Sequence, residues 1–444
     1  MKPNDDRRRQ LIFIQLNEIN FEIVRRYTGS RPRKFPSFER LLGGALVRTS
    51  SEADYERLEP WIQWVSAHTG LAYDEHRVFR LGDMVGTGIP QFFEQVEKKG
   101  FRVGAIAPMN AENRLKAAAY FLPDPWTETP ASGSWLIKGL GKAISQAVND
   151  NSSARLSFRS ALFLMLAMVR FSRSKNLLTY LGLALTSRGA PWRKALFLDI
   201  FLNDLHIGLF GSKRPDLSVL FLNAGAHIQH HYLLNSKALD AGSLGLNPSW
   251  YISPSADPVE EMLVAYDSIL GDYLDRPGVE LMIATGLSQR AYDRVKYYYR
   301  LRDHAGFLDR LGVKYKKVLP RMTRDFLLEF ESAEDAEAAG DALGRIYVMP
   351  DRAPLFGEID RRGDSLFVTL TYPHKLEDGA HIVLDGKPVD LVSQLAFVAI
   401  KNGMHQGEGY AFFTPGISGL APADGAHVKN LHASVTGYFG VQNP

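Results

Sequence analysis

"FLNAGAHIQHHYL", residues 221–233, joins the end of an apolar run to three histidines, His227, His230 and His231, within five positions. The run begins as "LSVLFLNAG" at residue 217. An unbroken aliphatic stretch that gives way to a helical pattern marks a strand buried on both faces and the helix that follows it. The same figure recurs along the chain. "LIFIQL" (11–16) leads into "FEIVRRY" (21–27), "RVGAIAP" (102–108) follows the amphipathic "IPQFFEQVEKKG" (89–100), and "VELMIATG" (279–286) follows "PVEEMLVAYDSILGDYLDRPG" (258–278). Strands alternating with helices predict an α/β fold, with a mainly parallel central sheet and helices on both faces. Ligands of such sheets gather beyond the carboxyl ends of the strands. That places attention on Asn17 and Glu18, on residues 223–231 and on residues 285–289.

Two stretches break the alternation. Residues 131–215 follow the turn-like "FLPDPWTETPASGS" and are helical in pattern, rich in basic and aromatic residues, which predicts a helical cap. Residues 302–395 hold the alanine- and acid-rich "SAEDAEAAGDALGRI" and the hairpin pattern "FGEIDRRGDSLFVTLTY", with Arg-Gly-Asp as turn material. They predict an inserted α+β subdomain. The expected organisation is therefore a core in three parts, 1–130, 216–301 and 396–444, interrupted by the cap and the insertion.

The chain of 444 residues is 45% hydrophobic and 23% charged, the balance of a folded globular protein. Its formal charge of +3 is too small to point to nucleic acid, and none is expected as a partner. There is no cysteine, so disulfides, thiolate ligands and cysteine nucleophiles are excluded, and any metal must rest on His, Asp, Glu or Asn. The polar start "MKPNDDRRRQ" and the short run after it lack a signal-peptide pattern, and a cytoplasmic location is expected. In the apolar stretch "SALFLMLAMVRFSRSKNLLTYLGLALTSR" (160–188), Arg170, Arg173 and Lys175 interrupt any membrane span. It reads either as packed cap helices or as a peripheral membrane-surface element with a basic rim.

Four segments stand in order along the chain: "QLNEIN" (15–20) after the first strand, "EPWIQWVSAHTG" (59–70), "AGAHIQHHY" (224–232) and "GMHQGEGYAFFTPG" (403–416). Together they resemble the alkaline phosphatase superfamily, particularly its type I phosphodiesterase and nucleotide pyrophosphatase branch; "LMIATGLSQ" (281–289) falls where that family's Asp-His-Gly strand end belongs. The resemblance covers the sheet and its loops, not the cap or the insertion. It implies a phosphoryl-transfer hydrolase with two divalent metals on Asp and His and a Thr or Ser nucleophile. Carried onto this chain, the first Asp corresponds to Asn17, the nucleophile to about Pro60, and the Asp of Asp-x-x-x-His to Ala226. The Asp-His pair corresponds to Thr285 and Gly286. His230 and His405 alone match in type, so a degenerate metal site is expected: no metal, or one zinc or manganese on His230 and His405, rather than two zinc ions.

The residues left at these positions define the candidate site. Glu18 and Glu59 are a carboxylate pair able to act as acid and base, and His405 among Gly403, Gly407 and Gly409 is a third catalytic candidate. Glu59 also stands where an acid would cap the helix starting at Pro60. Trp61 and Trp64 offer a sugar-stacking surface. Asn17, His227, His231 and Gln289 are expected to contact substrate, with Glu408 beside the His405 imidazole. His227 and His231, four apart, share a helical face that would serve a metal with His405 or an anion. His68 reads as a packed side chain, "DEHRVFRLGD" (74–83) as a charged loop or a site offering Asp74, Glu75, His76 and Arg77, and "KYYYR" (296–300) as a helix packing one face ahead of a basic-aromatic patch that stacks on bases or sugars. The leading reading is a divergent hydrolase or transferase of a phosphorylated or sugar-containing small molecule. The alternatives are a metal-independent glycosidase or transglycosidase using Glu18 and Glu59, and a ligand-binding pseudoenzyme.

Overall fold

The computed structural model describes residues 10–149, 156–239, 245–320, 324–384 and 386–441. Two compact units emerge, one formed by 1–291 with 403–444 and the other by 292–402. The insertion expected at 302–395 thus lies within a wider unit. The strands Ser288–Leu301 and Leu395–Gln406, which pair as a two-stranded ribbon, carry the chain into it and back.

The first unit is built on an eight-stranded sheet. Its strands are β1 (Gln10–Leu16), β2 (Ala45–Ser50), β3 (Val103–Ile106), β4 (Tyr120–Leu122), β5 (Leu217–Leu222), β6 (Val279–Ala284), β7 (Glu408–Phe413) and β8 (Ala426–His427), in the order β8-β2-β7-β6-β1-β5-β3-β4. Only β7 runs against its neighbours, β2 and β6; the other pairings are parallel. Leu11 to Leu16 and all of β5 are buried, as a sheet covered on both faces requires. The register Leu16 with Leu222 and Gln15 with Ala284 brings the ends of β1, β5 and β6 to one edge.

Eight helices of this unit matter here: α1 (Phe21–Ser30), α2 (Pro60–Thr69), α3 (Trp135–Asn149), α4 (Phe158–Phe171), α5 (Leu177–Thr186), α6 (Arg193–Lys213), α7 (Ala224–Tyr232) and α8 (Pro258–Leu274). The expected cap, 131–215, comprises α3 to α6. Among the described residues α6 is the one helix long and apolar enough to cross a membrane, yet 61% of its apolar window is buried inside the protein. It carries buried Asp199, Asn203, Asp204 and His206, which suits a core helix satisfying polar neighbours.

The second unit has its own core, with Phe307, Phe326, Leu328, Leu343, Leu366 and Val368 among its members. A four-stranded antiparallel sheet, in the order 358–362, 365–369, 325–329 and 317–320, packs with the helix Ala333–Gly344. The Arg-Gly-Asp turn closes the hairpin from Glu358 to Thr369, with Gly363 at φ +57°. The "KYYYR" segment corrects the sequence reading: it lies in the strand Ser288–Leu301, not a helix. Its aromatic and β-compatible residues outweigh the helical spacing.

Candidate metal centre

Glu18 sits in the turn that leaves β1, with φ +62°, a left-handed conformation seldom adopted by a residue with a side chain. The surrounding backbone holds it there. The Asn17 amide donates to the Leu222 carbonyl (3.0 Å), the Glu18 amide donates to the Thr285 carbonyl (3.0 Å), and Gln229 Nε2 donates to the Glu18 carbonyl (2.8 Å). The turn is thereby pinned to β5, to the end of β6 and to α7. The Glu18 carboxylate is buried, accepting from Asn17 Nδ2 (3.1 Å) and Gln289 Nε2 (2.5 Å).

His230 on α7 and His405 at the end of the returning strand meet this carboxylate. His230 Nε2 and His405 Nε2 each lie 3.2 Å from Glu18 Oε2, and 3.3 Å from one another. Among the described residues this is the one group of three acidic or imidazole donors so arranged. Burial pushes the Glu18 carboxyl up, but the charges of His405 and His230 outweigh it and hold the group well below the ordinary carboxylate range.

The outer nitrogens are also placed. His230 Nδ1 donates to the Gly403 carbonyl at 3.4 Å, since a carbonyl only accepts. His405 Nδ1 lies 3.6 Å from Glu59 Oε2. Glu59 occupies the N-cap position of α2, yet its side chain makes no capping hydrogen bond. Gly403 is required by close approach. A Cβ there would stand 2.0 Å from Gln289 Oε1 and 2.7 Å from the Gln229 carbonyl oxygen.

With His230 Nδ1 donating to a carbonyl, its Nε2 lone pair faces His405 Nε2 and a carboxylate oxygen. A proton on one Nε2, or a metal cation between the three atoms, satisfies that arrangement. A tetrahedral zinc ion, with nitrogen and oxygen ligands at about 2.0–2.1 Å, separates those ligands by about 3.3–3.4 Å. The triangle of 3.2, 3.2 and 3.3 Å therefore has the dimensions of one face of a zinc tetrahedron. Two His and one Glu are a known catalytic zinc set that leaves the fourth position open. The residues fit the metal.

Other expected site residues stand elsewhere. Asn17 is buried and committed to the protein, donating to Glu18 and to Asn223 Oδ1 (2.8 Å) and accepting from the Trp64 indole N–H (2.7 Å); it holds Glu18 rather than a substrate. Trp64 offers no stacking face, because α2 packs it fully buried against Phe13, Phe221 and His68. Its ring also limits residue 286, where a Cβ would come within 3.0 Å of the indole. Trp61 is half-buried, with its N–H on the Phe79 carbonyl (3.0 Å). Gln289 is buried behind Glu18, its Nε2 also donating to the Ala226 carbonyl (3.0 Å).

His227 and His231 do pair, edge to face with 4.9 Å between ring centroids, but His227 is exposed and neither joins the His405 group. The helix turns His230 inward instead. Glu408 does not orient His405: its carboxylate accepts from the Tyr410 hydroxyl (2.6 Å) and lies 3.9 Å from Arg48. His68 packs among Phe92, Phe93 and Trp64, and burial lowers its pKa to about 3. From the sequence, Glu18 is a candidate acid or base rather than a candidate ligand, and Asn17, Trp64 and Gln289 are candidate substrate contacts rather than the layer behind it. An acid directly after a strand end, facing two histidines of matching motifs, was the available signal for the first.

No family model and no curated protein matches the sequence. Among solved structures the chain is similar to wild-type alkaline phosphatase PafA, at 10% identity over 98% of this chain and 96% of that one, with a TM-score of 0.47. It is similar to phosphonoacetate hydrolase from Sinorhizobium meliloti 1021 in complex with phosphonoformate, at 13% identity over 97% and 96%, TM-score 0.43. It is also similar to murine ectonucleotide pyrophosphatase/phosphodiesterase 5, at 11% identity over 98% and 96%, TM-score 0.41. All three are members of the alkaline phosphatase superfamily. At these identities the likeness is one of architecture.

Proposed function

We propose that this protein is a hydrolase of phosphoryl esters or related phosphoryl compounds that works with one divalent metal, zinc by its donor set, held by Glu18, His230 and His405. The observation that carries the reading is the triangle of donor atoms with zinc-like edges. The motif resemblance supplies the substrate class. A metal bound there supplies Lewis-acid polarisation of a phosphoryl oxygen.

The chain's own residues do the rest. Glu18 balances positive charge at the centre, and Asn17 and Gln289 keep its oxygens aimed inward. Gly403 and Glu59 orient the two imidazoles, so that each presents Nε2 inward. Pro60, which stands where the resembling family has its nucleophile, is buried in the first turn of α2 and has no group to attack with. Attack therefore falls to water, or to an alcohol if the reaction is a transfer. Glu59 is the carboxylate available to take that proton: its side chain is 32% exposed, against 2% for Glu18.

The glycan reading has less support. A carboxylate pair needs both members free to reach the glycosidic bond, and Glu18 is buried with Oε2 engaged by His230, His405 and Gln289.

The test is metal content and turnover together. Protein stripped with a chelator and reloaded with zinc or manganese is analysed for metal. It is then offered p-nitrophenyl phosphate, bis(p-nitrophenyl) phosphate, a p-nitrophenyl phosphonate and a p-nitrophenyl glycoside. One equivalent of metal is expected, with phosphoryl turnover that His405→Ala and His230→Ala both abolish. Two equivalents would overturn the single-metal centre, and undiminished turnover in chelated protein would overturn any metal role. One equivalent with no turnover of any probe would leave a binding protein. Glycoside cleavage abolished by Glu59→Gln would restore the carboxylate pair.

A further inference from the structure

The helices α4 and α5 lie against α6 on one side and carry apolar stripes on the other. On α4, Phe158, Leu162, Met165 and Val169 are exposed at spacings of four, three and four residues, and on α5, Leu178, Leu181 and Leu185 at three and four. These spacings place each set on one helical face. The exposure is large: 85% for Phe158, 81% for Val169, 82% for Leu178 and 73% for Leu185. The inner sides are well seated. Tyr180 packs on Phe197 of α6 with ring centroids 5.0 Å apart, and a Cβ on Gly208 of α6 would stand 3.1 Å from the Phe171 ring. The exposed stripes are therefore a second apolar surface, not the unpacked remainder of a core.

Charge around the stripes is one-sided. From Leu156 to Leu198 the sequence has seven Lys or Arg and no Asp or Glu, in a chain whose overall charge is only +3. Arg173 and Lys175 pair with Asp272 of α8, and Arg193 pairs with Glu261. Arg159, Arg170, Arg188 and Lys194 are exposed along the same segment. Trp135, 66% exposed at the start of α3, sits against Phe163 of α4 with centroids 5.4 Å apart, adding an interfacial aromatic.

We infer that the α4–α5 face docks on an anionic membrane surface, its apolar stripes entering the headgroup boundary and its basic rim meeting lipid phosphates. A second copy of the chain complements this face poorly. A two-fold contact through it would set Arg159 and Arg170 against their own kind. The inference is independent of the metal reading, since none of these residues is at that centre.

Pelleting of the full chain with vesicles tests it. The vesicles are phosphatidylcholine alone, or equal parts of phosphatidylcholine and phosphatidylglycerol. Binding to the mixed vesicles is expected, weakening as salt is added. It should fall at least about tenfold in the doubly substituted Val169→Asp, Leu178→Asp chain, whose changes lie at exposed positions. Circular dichroism and metal content of that variant should match the parent. Arg159→Glu with Arg170→Glu should remove the preference for anionic lipid. No binding to either vesicle would overturn the inference, as would equal binding to both or unchanged binding by the apolar variant. A concentration-dependent dimer dissolved by the Val169 and Leu178 changes, without vesicle binding, would also overturn it and assign the face to a second copy.

Discussion

At the residue scale the centre depends on where two imidazole protons are kept. His230 and His405 are useful as ligands only while Nδ1 carries the proton and Nε2 the lone pair. The Gly403 carbonyl selects that tautomer for His230, and the negative Glu59 carboxylate, 3.6 Å from His405 Nδ1, favours a proton there. Of the two, the backbone carbonyl is fixed by the chain, whereas Glu59 can be removed. Glu59→Ala is expected to weaken zinc binding by about tenfold to hundredfold, and Glu59→Gln, which keeps an acceptor oxygen, to recover part of it. Competition against a chromophoric chelator measures both. Equal affinity in all three proteins would show that His405 is oriented by something else. Glu18, His230, His405 and Glu59 were all legible in the sequence, because each falls directly beyond a strand or at a motif position. Their supports were not. Trp64 and Asn17 look like ligand-facing residues in a linear reading. Only the packing of α2 on the sheet buries the indole and turns its N–H onto Asn17.

At the scale of elements, α7 must present His230 at a fixed height and rotation, and its N-terminus is held from outside. Asn223 occupies the N-cap but makes no side-chain cap bond; its oxygen accepts from Asn17 instead. The cap comes from α6, where Asp199 Oδ2 accepts the Ala224 amide (2.7 Å) and the Tyr266 hydroxyl of α8 (2.6 Å). The same hydroxyl receives the Gly225 amide (2.9 Å). Burial pushes the Asp199 carboxyl up to about 6, with the hydrogen bonds pulling the other way. A carboxyl raised on folding adds stability that is complete below its unfolded value, near 3.8, and is lost as pH rises through about 6. This group alone should therefore lower stability by roughly 3 kcal/mol as pH rises across that window. Asp199→Asn should flatten that part of the pH profile, read from urea midpoints between pH 4 and pH 7. An unchanged slope would mean that Asp199 is ionised throughout. The strands and helices that build this arrangement were readable from continuous apolar runs and their helical successors. An out-of-sequence cap was not, because Asp199 and Ala224 are joined only by how α6 crosses β5. The misread "KYYYR" segment has the same origin: five residues cannot separate a strand from a helix without a pairing partner.

For the whole molecule, the two units have separate cores, one around the eight-stranded sheet and one around the four-stranded sheet of 292–402. Each core is large enough to unfold as its own cooperative step. All three donors of the metal centre, and every residue that orients them, belong to the first unit. A ligand that binds only the native form of one unit stabilises that unit by mass action, about 2.7 kcal/mol when free metal exceeds its dissociation constant a hundredfold. Calorimetry of the chelated chain is therefore expected to show two transitions, and zinc to move one of them upward by several degrees while leaving the other in place. The isolated segment 292–402 should melt cooperatively at the temperature of the transition that zinc leaves unmoved. His405→Ala should make the intact chain blind to zinc in the same scan. The distinction bears on mechanism, because a metal that stabilised both transitions equally would have to be bound by residues of both units. That outcome would displace the centre from Glu18, His230 and His405 even if the stoichiometry remained one.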